Sequence, residues 1–456
     1  MWSARKISAK LRRNGGVRLT AARSPRALWM SGAGDHARII HQQTVVRPLL
    51  QRTEPHRLSR IWREVRMQTR QSNPNLRSLT GLRFVAMLPV FLTHAAFEGV
   101  FSDAKVSWGF LDAMGSTGYM AVSFFFVLSG FVITWSYRPT DTARKFWRRR
   151  FFRVFPNHVV TYALALGLIA SVGLSVGVLP SVTQLFLVQS WVPDPAFTDT
   201  GNSVSWSLAV DVVFYALFPV LLTLVNKIKP NRLWCWVGGS VIGVAVIPAI
   251  ALAALPSTPE MPLGGVSVSQ YWFTYFFPLF RLLECVLGML MARIVLTGKW
   301  IRLPVLPAAV LVVIAYYLAQ QVPYLYRLSA VTVLPVALLT AAAAVADSEG
   351  RGTPFGSKVM VWFGELSFAF YLLHNLVLKY GHLLLGHTEE EGELVGHTWG
   401  VPEGIALIAA AFAVSLLLAW LLHNGVEKPA MRRWSRRKPA PVAEVTSGFY
   451  AKDGAI

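Results

Sequence analysis

Residues 118–137 read GYMAVSFFFVLSGFVITWSY, twenty consecutive residues without a charged side chain. Wound as an α-helix at 1.5 Å per residue, such a stretch is about 30 Å long, the thickness of a bilayer's hydrocarbon core. The pattern repeats outward along the chain. Apolar segments near twenty residues long lie at 82–102, 118–137, 157–179, 206–225, 233–255, 271–297, 304–322, 328–346, 359–385 and 402–423. They predict an all-α polytopic membrane protein with ten transmembrane helices. Several are interrupted by Pro or Gly, which spanning helices tolerate. The run TQLFLVQSW at 183–191 is too short to cross and reads as re-entrant or interfacial. Of 456 residues, 54% are hydrophobic and only 15% charged, with a mean hydropathy of +0.45. A soluble globular chain carries about 25% charge, and a disordered one has low hydrophobicity, so both classes are excluded. Two cysteines, Cys235 and Cys285, leave no room for a disulfide framework and read as buried, inert thiols.

Charge placement sets the expected topology. Residues 1–77 hold 17 Lys/Arg against 3 Asp/Glu, while the net charge of the whole chain is +21. The basic excess thus sits in one tail, with no aromatic-interleaved basic fold, and points to an anionic membrane surface rather than to nucleic acid. That stretch reads as a disordered basic extension. Its Arg- and Ser-rich start also fits a transit peptide, and Met67 offers a second start site. Between the spans, positive loops alternate with acidic ones. Residues 138–156 carry seven Arg/Lys against Asp141, and Lys227, Lys229, Arg232, Lys299 and Arg302 follow in the next even loops. The odd loops carry Asp103, Asp112, Asp194, Asp199, Glu260 and the run around Glu389 to Glu393. By the positive-inside rule both ends are cytoplasmic, with the domain at 78–430 and a basic cytoplasmic tail at 431–456. The expected location is the plasma membrane, the inner membrane of a bacterium. No phosphate-binding G-x-x-x-x-G-K-[ST] loop occurs, which argues against an ATP-driven pump.

Ionisable groups at membrane depth are costly and mark candidate sites. Arg83 and His94 share the first span, eleven positions and about 16 Å apart. His94 reads either as a functional imidazole or as a hydrogen-bonding partner of a neighbouring helix. Ser129-Gly130-Phe131 in the second span allows close approach of a ligand, or of another helix. The segment ARKFWRRRFFRVFPNH at 143–158 interleaves arginines with aromatics. On a helix Arg150 and Arg153 share a face, which suits a phosphate or pyrophosphate. Such a pair fits a nucleotide-bearing donor such as coenzyme A. Asp211 in the fourth span needs a partner, for which His94 or Arg281 are candidates. Arg281 and Glu284 are three apart and read as a local ion pair or as part of a site. Tyr371 and His374 share one side of the ninth span, and Glu427 follows the last. No metal-ligand spacing such as His-Glu-x-x-His is present.

These segments, in this order, resemble the integral-membrane acyltransferase-3 family. Its Arg-ten residues-His motif falls on Arg83 and His94, and its FFVLSGF segment on Phe125 to Phe131. Its Arg-x-x-Arg with a following Pro falls on Arg150, Arg153 and Pro156. Its WSL segment, with an acidic residue and FY after it, falls on Trp206, Ser207, Leu208, Asp211, Phe214 and Tyr215. Its R-x-x-E-x-x-x-G-M falls on Arg281, Glu284, Gly288 and Met289, its LSY-x-x-YLLH on Leu366 to His374, and its closing acidic-x-Pro on Glu427 and Pro429. The chain departs from the pattern at Asp211, where the family more often has Glu, and at Phe368, which replaces a tyrosine. The texture of FFFVLSGFVITWS and FWRRRFFRVFPNHVVT looks like actinomycete members, some of which acylate a sugar or ring hydroxyl of macrolide antibiotics.

The resemblance implies transfer of an acyl group (acetyl, propionyl or isovaleryl) from acyl-CoA, a co-substrate, to an alcohol, with no bound cofactor and no metal. His94 is then the general base, Asp211 or another carboxylate orients its ring, and Arg83 binds the donor or stabilises negative charge. Arg150 and Arg153 hold coenzyme A phosphates, and Ser129, Gly130 and Phe131 flank the acyl and pantetheine arm. Arg281, Glu284, Tyr371 and His374 are supporting polar residues. The acceptor is expected to be a macrolide or other glycosylated small molecule, because no extracytoplasmic domain is apparent. A cell-surface or exported polysaccharide is the alternative. A proton-coupled transporter is the rival outside catalysis, but neither the Arg83–His94 pattern nor WSL recurs in the second half, as two related halves would require.

Overall fold

A computed structural model describes residues 76–435, apart from 139–141, 263 and 391–392. The basic extension and the tail after residue 435 lie outside the described residues. The principal helices are α1 (Arg77–Phe97), α2 (Ala104–Met114), α3 (Thr117–Ser136), α4 (Ala143–Ser171), α5 (Val178–Leu185), α6 (Trp206–Lys227) and α7 (Leu233–Ala254). They are followed by α8 (Pro278–Leu296), α9 (Val305–Ala319), α10 (Val333–Ser348), α11 (Lys358–Leu385) and α12 (Val401–Leu422). A two-stranded antiparallel hairpin, β1 (His387–Glu390) and β2 (Glu393–Gly396), forms in the acidic loop between α11 and α12. The protein is therefore an all-α polytopic membrane protein. Among the described residues, seven helices are long and apolar enough to cross a membrane. The expected segments at 304–322 and 328–346 form shorter helices, α9 and α10, of 15 and 16 residues, while the segment at 271–297 gives α8, 19 residues long but carrying Arg281, Glu284 and Arg293.

Several boundaries differ from the expected ones, for local reasons. The first helix starts at Arg77, not at 82, because Asp347 on α10 takes over its N-terminal capping. Asp347 accepts hydrogen bonds from the Ser78 backbone N–H (2.8 Å) and hydroxyl (2.6 Å). The basic run at 143–156 is not a loop. Thr142 caps Lys145 N, and the helix runs unbroken for 29 residues into the apolar segment. The sixth segment is interrupted: a π-helical turn at Trp272–Phe276 ends at Phe277, and Pro278 opens α8. A proline disfavours helical geometry in the residue before it yet fits a helix's first position. The segment 183–191 closes α5 and adds a 3-10 turn at Gln189–Trp191.

Small residues set the helix spacing around the site. A Cβ at Gly130 on α3 would lie 1.9 Å from the Cys285 carbonyl oxygen on α8. A Cβ at Gly288 on α8 would lie 1.9 Å from the Val127 carbonyl oxygen on α3. The two helices thus meet backbone to backbone through a reciprocal pair of notches. Gly364 on α11 does the same against Thr80 of α1, 1.8 Å from its carbonyl oxygen. On the periphery, α7, α9 and α12 expose large apolar side chains, among them Ile242, Leu306, Tyr317, Ile405 and Leu417. Uncovered surface of this kind is stable against lipid tails, not against water. Cys235 belongs to that exposed face, contrary to its expected burial, while Cys285 is buried.

Candidate active site

Helices α1, α3, α4, α6 and α11 enclose a cavity of about 290 Å³. Along α6, Ser207, Asp211 and Tyr215 line it at successive turns. Eight residues of helix make that about 12 Å. At the Tyr215 end stand three guanidinium groups, Arg83 from α1 and Arg150 and Arg153 from α4. Arg150 lies over the rings of Phe146 (5.6 Å) and Tyr215 (5.7 Å), held by cation–π contact rather than by a carboxylate. Midway, Asp211 Oδ2 accepts a hydrogen bond from the Tyr215 hydroxyl at 3.2 Å, and its Oδ1 is buried with no partner among the described residues. Ser129 lines the same stretch. At the far end the Tyr371 hydroxyl meets Ser207 Oγ (2.8 Å) and donates to the Val204 carbonyl (2.9 Å). Val122, Phe125, Phe126 and Phe368 give that end apolar walls.

One turn past Tyr371, two imidazoles meet across α1 and α11. His374 Nε2 lies 3.2 Å from His94 Nδ1, and the rings are edge to face. His94 Nδ1 also lies 2.9 Å from the Val90 carbonyl, and His374 Nδ1 lies 2.7 Å from the Tyr371 carbonyl. The phenyl rings of Phe91 and Phe370 pack beside them. The order along the site is arginines, Asp211 and Ser129, Tyr371 and Ser207, then the histidine pair.

The sequence-predicted residues therefore divide. Arg83, Arg150, Arg153, Ser129, Asp211 and Tyr371 converge on one cavity. Gly130 and Phe131 do not line it: Gly130 is the notch against α8, and Phe131 is fully buried and stacked on Trp135. Asp211 was expected to orient His94 or to pair with Arg281, and it does neither. Its partner is Tyr215, and the ring of His94 is held by His374 and Val90. Arg281 and Glu284 form a buried ion pair at 2.7 Å, with the guanidinium over Phe126 and Tyr275. They fasten α8 to α3 outside the cavity. Glu427 accepts from Asn157 Nδ2 (3.2 Å) and lies 3.0 Å from His423 Nδ1. Sequence reasoning passed over His423, though its four-residue spacing from Glu427 was a usable signal. Tyr215, named there only as part of the WSL segment, links Arg150 to Asp211. Among the described residues no three His, Cys, Asp or Glu side chains converge as metal ligands.

Three cations against two carboxylates, Asp211 in the lining and Glu427 near Arg83 and Arg153, leave the Tyr215 end with excess positive charge inside the protein, a setting that suits an anion. An anion pocket in the membrane domain, with the His94–His374 pair outside its lining and one helical turn past Tyr371, suits a membrane-embedded group-transfer enzyme. Comparison with known sequences agrees. Residues 76–423 match the acyltransferase-3 family model, described as an acyltransferase domain, and the chain belongs to that family. It is an acyltransferase. It is 41% identical over 376 residues to the acyltransferase MdmB of Streptomyces mycarofaciens, covering 81% of this chain and 95% of that protein. It is 24% identical to the peptidoglycan O-acetyltransferase OatA of Listeria monocytogenes, over 79% of this chain and 57% of that longer protein. A shorter match, 28% over 190 residues, links it to nodulation protein 10 of Rhizobium leguminosarum, covering 38% of this chain and 49% of that protein. No solved structure matches.

Proposed function

We propose that the protein is an O-acyltransferase of the plasma membrane that moves an acetyl, propionyl or isovaleryl group from acyl-CoA to a hydroxyl of a macrolide or another glycosylated small molecule. The observation that carries this reading is a cavity with three guanidiniums at one end and His94–His374 beyond the other, outside its lining. Coenzyme A phosphates pair with Arg83, Arg150 and Arg153. The pantetheine arm follows α6 past Ser129 and Asp211, and the thioester comes to rest by Ser207 and Tyr371. The acceptor hydroxyl then attacks the carbonyl carbon as His94 takes its proton. The C–S bond breaks, and the same proton passes to the departing sulfur. No proton is gained or lost overall, so one imidazole serves both halves of the step.

The near full-length match to a Streptomyces acyltransferase supports acyl transfer, and the actinomycete texture of α3 and α4 supports a small hydrophobic acceptor. The matches to peptidoglycan O-acetyltransferases favour a glycan as the second reading, although the chain spans little more than half of the Listeria protein. Both are tested in membranes carrying the wild type or His94→Ala. Labelled acetyl-, propionyl- and isovaleryl-CoA are offered with a panel of macrolides, and label is followed into macrolide and into envelope glycan. His94-dependent label on a macrolide is the expected result. Label in glycan alone moves the acceptor to polysaccharide. Equal transfer by His94→Ala refutes the mechanism.

A further inference from the structure

The contacts of the histidine pair leave little freedom in where its protons sit. His374 Nδ1 faces two backbone carbonyls, Tyr371 O at 2.7 Å and Phe370 O at 3.3 Å. Carbonyls only accept, so Nδ1 carries the proton, and the Nε2 of a neutral His374 is left with a lone pair. That lone pair points at His94 Nδ1 across 3.2 Å, and the other neighbour of His94 Nδ1 is again a carbonyl, Val90 O at 2.9 Å. With acceptors on both sides, His94 Nδ1 must be the protonated nitrogen. Nε2 then holds the lone pair and has no partner among the described residues. Glu98, just past the end of α1, lies 3.8 Å from His382 Nδ1, and no hydrogen bond joins it to His94 among the described residues.

We propose that His374 is a positioning residue that fixes His94 in the Nδ1–H tautomer, so that the basic Nε2 is the nitrogen offered to the acceptor hydroxyl. This is the task that a buried aspartate performs in a serine hydrolase, carried out here by an uncharged imidazole whose orientation is set by the backbone of α11. An uncharged orienting group suits a membrane interior, where a second unpaired carboxylate would be costly. The inference rests on the acyl-transfer reading for its purpose but not for its test.

The test uses full-length protein in lipid, labelled with ¹⁵N-histidine, with the His94 signals assigned as those lost in His94→Ala. In the wild type, His94 is expected to be protonated at Nδ1 and bare at Nε2. In His374→Leu only the Val90 carbonyl is left to hold that proton, so the Nε2–H tautomer is expected to gain a measurable share, and kcat falls at least about tenfold while the KM for the donor moves less than about threefold. His374→Gln presents an amide oxygen to His94 Nδ1 and is expected to restore both the wild-type spectrum and most of kcat. Protonation of wild-type His94 at Nε2 overturns the inference, as does equal kcat in the Leu and Gln variants. The spectrum is read without turnover, so a wrong donor or acceptor fails the assay and leaves the tautomer result standing. Should the Leu variant fail to fold, the wild-type and Gln spectra still decide.

Discussion

Replacing Gly130 with alanine adds one methyl group where two backbones touch. The new Cβ would sit 1.9 Å from the Cys285 carbonyl oxygen, whereas real Cβ contacts essentially never fall under 3.0 Å. The helices must part by about the difference, 1.1 Å. A backbone carbonyl has no rotamer with which to yield, so α3 or α8 moves as a body and loses contacts along their shared face. Overpacking of this kind costs about 1–3 kcal/mol. Gly167→Ala on α4 is the matched control. A Cβ there meets nothing within 4 Å, so the helix gains the propensity of alanine, worth about 0.5–1 kcal/mol. The same chemical change is therefore expected to act in opposite directions at two sites. Thermal unfolding in detergent reads both, and acyl transfer in membranes reads the consequence for the cavity that Leu128, Ser129 and Val132 line beside the notch. Gly130→Ala should lower the unfolding temperature and reduce transfer, while Gly167→Ala should hold or raise the first and leave the second unchanged. Gly130→Ala behaving like Gly167→Ala would refute the backbone-to-backbone contact.

Asp211→Asn keeps the shape of the side chain and its contact with Tyr215 but removes the charge beside the arginines. Because Asp211 lines the cavity proposed for the donor and does not touch His94, the variant is expected to change the KM for acyl-CoA severalfold while kcat stays within about a factor of three. A kcat collapse with unchanged KM would return Asp211 to the histidine. Phe125→Ala opens the apolar end of the cavity. It is expected to shift the kcat/KM ratio of isovaleryl- to acetyl-CoA upward by about tenfold, within the range of one to two methylene contacts. An unchanged ratio in a donor series would show that the acyl group lies elsewhere.

What the sequence made legible follows from distance along the chain. Arg83 and His94, or Arg150 and Arg153, lie on one helix, and a rise of 1.5 Å per residue places each relative to the other. The apolar length of the segments gave the helices, and the charge of the loops gave an expectation about their order. The bond between His94 and His374 joins residues 280 positions apart. Nothing in the local pattern of either helix encodes it. Gly130 shows a different limit. A small residue serves a ligand and a neighbouring helix equally well, and only the carbonyl of Cys285 settles that it serves the helix. The partner of Asp211 was missed because reading favoured charged groups over Tyr215, one turn away on the same helix. The start of α1 was misplaced because its cap, Asp347, comes from another helix.

One helix, with Pro89 inside it, spans from the arginine end to the histidine pair. Arg83 and His94 stand on the same continuous helix, about 16 Å from one to the other. That helix acts as a caliper for whatever enters. A donor that rests its anion on Arg83 and presents its carbonyl to His94 must carry a slender tether of that length between them. Under the proposed reaction, small acyl phosphates, whose charge and carbonyl are adjacent, are expected not to serve as donors.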